Sequence, residues 1–174
     1  RRRDPIATPD HVLYVTVRPR LCPYTEPEEP PSPEPVPPVA PSQQIGAGVR
    51  VAVVDTGWGE EAGTIISWLS GVAADPPDVE QVNPEDIHPY AGHGTFVAGV
   101  LRCIAPGTRV EVEGFAPKGG GAAFESEICA QLCEALVDND LPQIISISAG
   151  THTRNSLPLL AFELLAKAKS LLDP

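Results

Sequence analysis

The sequence predicts an α/β domain built on a mainly parallel sheet with helices on both faces. Three observations point there. VRVAVV, residues 49–54, is almost continuously apolar and β-branched, as strands buried on both faces are. Two more strand-like runs follow: RVEVEGF at 109–115, which alternates, and QIISISA at 143–149. Helical patterns lie between and after them, and that alternation implies βαβ units with right-handed crossovers.

Residues 1–18 read as an N-terminal extension holding one short strand, HVLYVTV at 11–17. Residues 19–48 read as a connector. Ten of the 23 residues 19–41 are proline. Proline lacks an N–H and fixes φ, so this stretch is expected to run as an extended spacer over the surface. Residues 49–174 form the domain. Within it, TIISWLSGV at 64–72 fits helix or strand, and DPPDVEQVNPEDIHP at 75–89 reads as loop. Thr95 to Cys103 is apolar almost all round, which predicts a central helix anchored by Phe96, Val97 and Val100. Glu125 to Asp138 is amphipathic, with Ile128, Leu132 and Leu136 on one stripe. Leu157 to Leu172 carries Leu157, Leu160, Leu164 and Ala168 on another.

Composition narrows the function classes. A chain of 174 residues with 42% hydrophobic content has room for one real core. No apolar run approaches the roughly 20 residues of a membrane span. A net charge of -11 argues against nucleic acid as a partner. The chain opens on Arg1-Arg2-Arg3 and has no methionine, so its ends are not expected to be natural termini. Cys22, Cys103, Cys129 and Cys133 include no C-x-x-C pair, and buried free thiols are expected. His11, His88 and His152 have no motif around them and read as solvated loop residues.

The chemistry gathers at two points. The first buried strand ends at Asp55, followed by Thr56-Gly57. Functional groups in open α/β sheets collect at such carboxyl ends. A carboxylate there needs hydrogen bonds or a charge partner to offset its burial, and it equally suits a turn cap. In GHGTFVAGV, Gly92 and Gly94 let the backbone approach a neighbour, and Thr95 can help cap the helix. His93 is thereby held at the helix N-terminus, whose dipole disfavours an imidazolium, while a nearby aspartate favours it. That balance suits proton transfer near neutral pH.

VAVVDTGW followed by GHGTFVAGVLRCIAPGTRVEV resembles the subtilisin-like serine proteases, from about Val49 to the end of the chain. The resemblance implies a serine-type endopeptidase with a Ser-His-Asp triad. Asp55 would orient His93, and His93 would act as general base and then general acid. It also implies that Gly119, Gly120, Gly121 and Ala122 pair with an extended peptide or protein substrate. Ser148, Ala149 and Gly150 would line the opposite side of the same groove. The family's Gly-Thr-Ser nucleophile and oxyanion asparagine have no counterpart here. Ser146, Ser148, Ser156 and Ser170 have the wrong flanks, and Asn155 follows Gly150 too closely.

The resemblance therefore implies a domain truncated before its C-terminal strands, with an open sheet edge and uncovered helix faces. The missing C-terminal half would be its partner. The chain alone is expected to be inert, since an oxyanion donor by itself contributes roughly 3 kcal/mol. No cofactor is implied. Structural calcium occurs in the family, but no calcium loop maps onto this chain. Export is common in the family and favours a secreted protein. The alternative is a non-catalytic relative that binds peptides or acts as a scaffold. A metal site of Asp55, His93 and Glu85 or Asp86 lacks any supporting ligand spacing.

Overall fold

A computed structural model describes residues 9–15, 40–87, 90–115, 121–138 and 141–172. Most of the proline-rich connector lies outside them, as do Gly119, Gly120, His88 and Cys22. The strands are β1 (Val12–Tyr14), β2 (Arg50–Asp55), β3 (Arg109–Gly114), β4 (Ala122–Phe124) and β5 (Ile144–Ile147). The helices are α1 (Ala62–Ile65), α2 (His93–Ile104), α3 (Glu125–Asp138) and α4 (Leu160–Leu172).

The fold is mixed α/β. A three-stranded parallel sheet runs in the order β3-β2-β5, so β2 is central and has a neighbour on each side. Its residues alternate between two cores. Val51 and Val53 pack with Ala98, Trp58, Leu69, Val110 and Val112 on the α2 face. Ala52 and Val54 pack with Ile128, Leu132 and Ala135 of α3 on the other. This explains why 49–54 is apolar without alternation: neither face of β2 meets water. The chain passes from β2 through α2 to β3, then through α3 to β5 on the far side. The strand order thus reverses about β2, and Asp55 stands at the carboxyl end of that switch.

Several expectations need correction. β3 alternates in sequence, yet Glu111 and Glu113 are buried as well as Val110 and Val112. The reason is cover: α2 lies on one face of β3, and α3 approaches the other. The helix predicted from Thr95 begins two residues earlier, at His93. It is not buried all round. Phe96 is 64% exposed and Ile104 67%, with Val100 between them also exposed. These three recur every four residues, so they share a face, and that face is turned from the sheet. Val97, Ala98 and Leu101 hold α2 to the core instead. TIISWLSGV contains the end of the one-turn α1 and a 3-10 turn over Ser67–Leu69. Arg102 ties this stretch to α2 by donating to the carbonyls of Trp68 and Ser70.

The edges differ. The outer edge of β3 is bridged by Ala73, which exchanges backbone hydrogen bonds with Val110 and Val112. No strand among the described residues covers β5, and Ile144 is exposed. α3 spans the predicted residues, while α4 starts three residues later than predicted. Glu125 opens α3 and also caps α4, because its Oε1 accepts the Ala161 N–H at 2.6 Å. The short strand expected in the N-terminal extension is present and packs on the domain. β1 pairs antiparallel with β4, and Leu13 and Val15 belong to the α3-side core. His11 is not a solvated loop residue, since its Nδ1 lies 2.8 Å from Glu125 Oε2. His152 is exposed. Among the described cysteines, all free, Cys103 is buried and Cys129 half-buried, but Cys133 is exposed on α3. No helix among the described residues is long and apolar enough to cross a membrane.

Candidate functional site

Asp55 and His93 meet. Asp55 is 1% exposed, and its Oδ1 lies 2.7 Å from His93 Nδ1. The carboxylate acceptor fixes the proton on Nδ1. The same Oδ1 accepts the Thr56 N–H at 2.8 Å. Oδ2 is buried with no hydrogen-bond partner among the described residues. The His93 ring keeps 28% exposure, and its bond to Asp55 engages Nδ1. A buried acid behind a partly open imidazole leaves one ring nitrogen available to an incoming group.

The residues around the pair explain why it forms. Gly92 caps α2 in the left-handed region, at φ 82, where a side chain would be strained. Gly94 then presses on the Asp-Thr-Gly turn. A Cβ at Gly94 would stand 2.4 Å from the Gly57 carbonyl oxygen. The Thr56 hydroxyl accepts the Gly94 N–H at 3.1 Å, satisfying a helix N-terminal donor. Thr95 has a different task from the predicted cap: its hydroxyl accepts the Gly59 N–H at 2.8 Å. Each residue of Asp55-Thr56-Gly57 therefore has a counterpart in His93-Gly94-Thr95 or a direct role in their approach.

A second carboxylate stands behind the histidine. Trp58 and Asp78–Glu80 run side by side, with Trp58 N–H on the Asp78 carbonyl and Glu80 N–H on the Trp58 carbonyl. This brings Glu80 Oε2 to the Gly92 N–H, the residue next to His93. Asp78 is buried and accepts the Gly114 N–H at 3.0 Å, so the predicted loop is pinned between β2 and β3. The His93 pKa is raised above the ordinary 6.5. The hydrogen bond to Asp55 is the largest cause, burial opposes it, and the charges of Asp55 and Glu80 add to the rise. Glu80 carries no motif, and only its place in the folded loop reveals it. Glu80→Gln keeps an oxygen for the Gly92 N–H but removes the charge. The His93 pKa should fall in this variant, read from its imidazole proton shifts by NMR titration. An unchanged pKa would show that Glu80 acts only as a cap.

The predicted substrate segments are brought together in part. Gly121 and Ala122 lie on one side, at the start of β4, and Ser148, Ala149 and Gly150 lie beyond the end of β5. β1 lies between them. Tyr14 exchanges backbone hydrogen bonds with Gly150, at 2.9 and 3.0 Å, and Val15 donates to the Gly121 carbonyl at 2.8 Å. These segments adjoin the acid–histidine pair by two routes. The Tyr90 ring packs where a Gly121 side chain would be, and the Tyr90 carbonyl accepts the His93 N–H. Phe115 shares a core with Leu13 and Val15 and donates its N–H to the Asp55 carbonyl.

Among the described residues no three His, Cys, Asp or Glu side chains gather into a metal-holding group. Glu85 and Asp86 lie in a turn organised by Asn83. No family model matches the chain, and neither a curated protein nor a solved structure matches it.

Proposed function

We propose that this chain contributes the acid and the base of a serine-type endopeptidase of the subtilisin-like kind. The observation that carries the reading is the 2.7 Å bond from His93 Nδ1 to a buried carboxylate at the end of the central strand. With Nδ1 held, Nε2 can take a proton from a serine hydroxyl as it attacks a peptide carbonyl. Asp55 stabilises the imidazolium that forms, and the same proton then passes to the leaving amine. Gly119–Ala122 and Ser148–Gly150 hold the substrate as an added strand. No serine in the 174 residues has the flanks of that nucleophile. In this reading it comes from the C-terminal half of the catalytic domain, outside these residues.

The test is an intact mass of the native protein before and after a fluorophosphonate probe. One probe on a species well above 18.4 kDa, lost in His93→Ala, is the expected result. A species at 18.4 kDa that takes no probe would remove the protease reading. The non-catalytic peptide-binding reading would then stand, favoured by the strand already seated beside Gly150.

A further inference from the structure

We infer that Cys129 and Cys133 of α3 form a two-thiolate site for a soft monovalent cation, Cu(I). The pair lies on the α3 face of the sheet, whereas His93 opens α2 on the other face. The inference is independent of the protease reading.

Position comes first. α3 runs unbroken from Glu125 to Asp138, so Cys129 and Cys133 stand one turn apart on one face of it. Cys133 is exposed and Cys129 half-buried. One sulfur is thus open to an arriving ion and the other is sheltered. The two side chains are within hydrogen-bonding reach of each other. Cys129 Sγ also reaches the Ala161 carbonyl of α4, at 3.5 Å.

Charge comes second. Glu125 stands one turn before Cys129. Its Oε1 accepts the Ala161 N–H at 2.6 Å, and its Oε2 lies 2.8 Å from His11 Nδ1. Glu125 is therefore held in place and lends the row its negative charge. Burial pushes the Cys129 thiol up, and Cys133 and the charge of Glu125 add to the rise. Two thiolates in line with a carboxylate repel one another, and a cation between the sulfurs removes that repulsion.

Spacing then selects the ion. Side chains four apart on a helix have Cβ atoms about 5–6 Å from each other. A disulfide needs about 3.5–4.5 Å, so closing one would pull the turn out of shape. An ion between the sulfurs spans the wider gap with the helix intact. Among the described residues no third His, Cys, Asp or Glu side chain joins the pair. Cys103 is on α2, across the sheet. The pair therefore falls short of the four ligands of a structural zinc, while soft thiolates select Cu(I), for which two sulfurs suffice. On binding, two S–H bonds are replaced by two S–Cu bonds. Two protons leave to solvent and no electron moves.

The experiment uses the full chain, without oxygen and with a reductant that is not a thiol. Cu(I) is offered from a coloured Cu(I) chelator, whose bleaching reports transfer to the protein. The unaltered chain should withdraw one Cu(I), and an excess of zinc should not displace it. The Cys22→Ser, Cys103→Ala double variant, which keeps only the pair, should withdraw the same amount. Cys133→Ser should lose the ion. Cys133 is exposed, so this variant should keep the helical circular dichroism of the unaltered chain. Three results overturn the inference: no withdrawal by the unaltered chain, withdrawal that survives Cys133→Ser, or withdrawal lost in the double variant.

Discussion

Asp55→Asn should lower the His93 pKa below its ordinary 6.5 and remove most of the activity of any form that the fluorophosphonate labels. The largest cause of the raised pKa is the hydrogen bond to Asp55, and the charge of Asp55 adds to it. Asparagine keeps the size of the side chain but removes the charge. Burial, which lowers the pKa, then dominates over the remaining charge of Glu80. Asparagine can also present its amide to Nδ1 and impose the wrong tautomer, and the corresponding change in a serine protease triad costs about 10^4 in kcat. The stability effect has a definite sign. A histidine whose folded pKa is raised contributes stability that is fully present below 6.5 and fades as pH rises through the folded pKa. Asp55→Asn should therefore lose most against the unaltered chain near the acidic end of that window. The gap should close at higher pH, where the unaltered chain keeps a buried carboxylate beside a neutral ring. Urea unfolding on either side of the His93 titration, with NMR for the pKa, measures both. A stability difference that widens with rising pH would contradict the assignment.

The parts of this molecule that could be read from sequence are those set by local pattern. β2 announced itself because both of its faces are covered, which leaves no place for a polar residue before Asp55. α3 matched its predicted span because its apolar stripe at Ile128 and Leu132 carries the 3.6-residue period of one buried face. The pairing of Asp55 with His93 was legible only through the resemblance that the Asp-Thr-Gly and His-Gly-Thr motifs carry, since no spacing along the chain joins them. What stayed hidden depends on distant chain. The stretch Thr95 to Cys103 is apolar almost all round, so its pattern does not say which face meets the sheet, and Phe96 and Val100 lie exposed rather than in the core. Glu80 lies in a loop with no period, and its approach to Gly92 is set by the pairing of Trp58 with Val79. The seat of β1 between Ala122 and Gly150 is a contact between the two ends of the chain, which no window of sequence contains.

Two glycines in α2 should respond to alanine with opposite signs. By helix propensity alone, Gly→Ala inside a helix gains about 1 kcal/mol. At Gly99 that gain should be realised, because a Cβ there meets only Leu69 Cδ2 at 3.7 Å, an ordinary contact. At Gly94 the added methyl would meet the Gly57 carbonyl oxygen at 2.4 Å, the Gly57 nitrogen at 3.2 Å and Asp55 Cβ at 3.3 Å. Two of these atoms are backbone, fixed in the turn that ends β2, and cannot rotate away as a flexible side chain would. Overpacking of this kind costs roughly 1–3 kcal/mol, enough to cancel or outweigh the propensity gain. Relief comes only by moving the start of α2 off the Asp-Thr-Gly turn, and that movement lengthens the Asp55–His93 hydrogen bond. Gly94→Ala should therefore lower the urea midpoint and bring the His93 pKa down together, while Gly99→Ala raises the midpoint and leaves the pKa in place. A Gly94→Ala protein as stable as the original, with its His93 titration unmoved, would mean that the two motifs do not interlock. In that case the acid and the histidine would owe their meeting to something other than the fit of glycine on glycine.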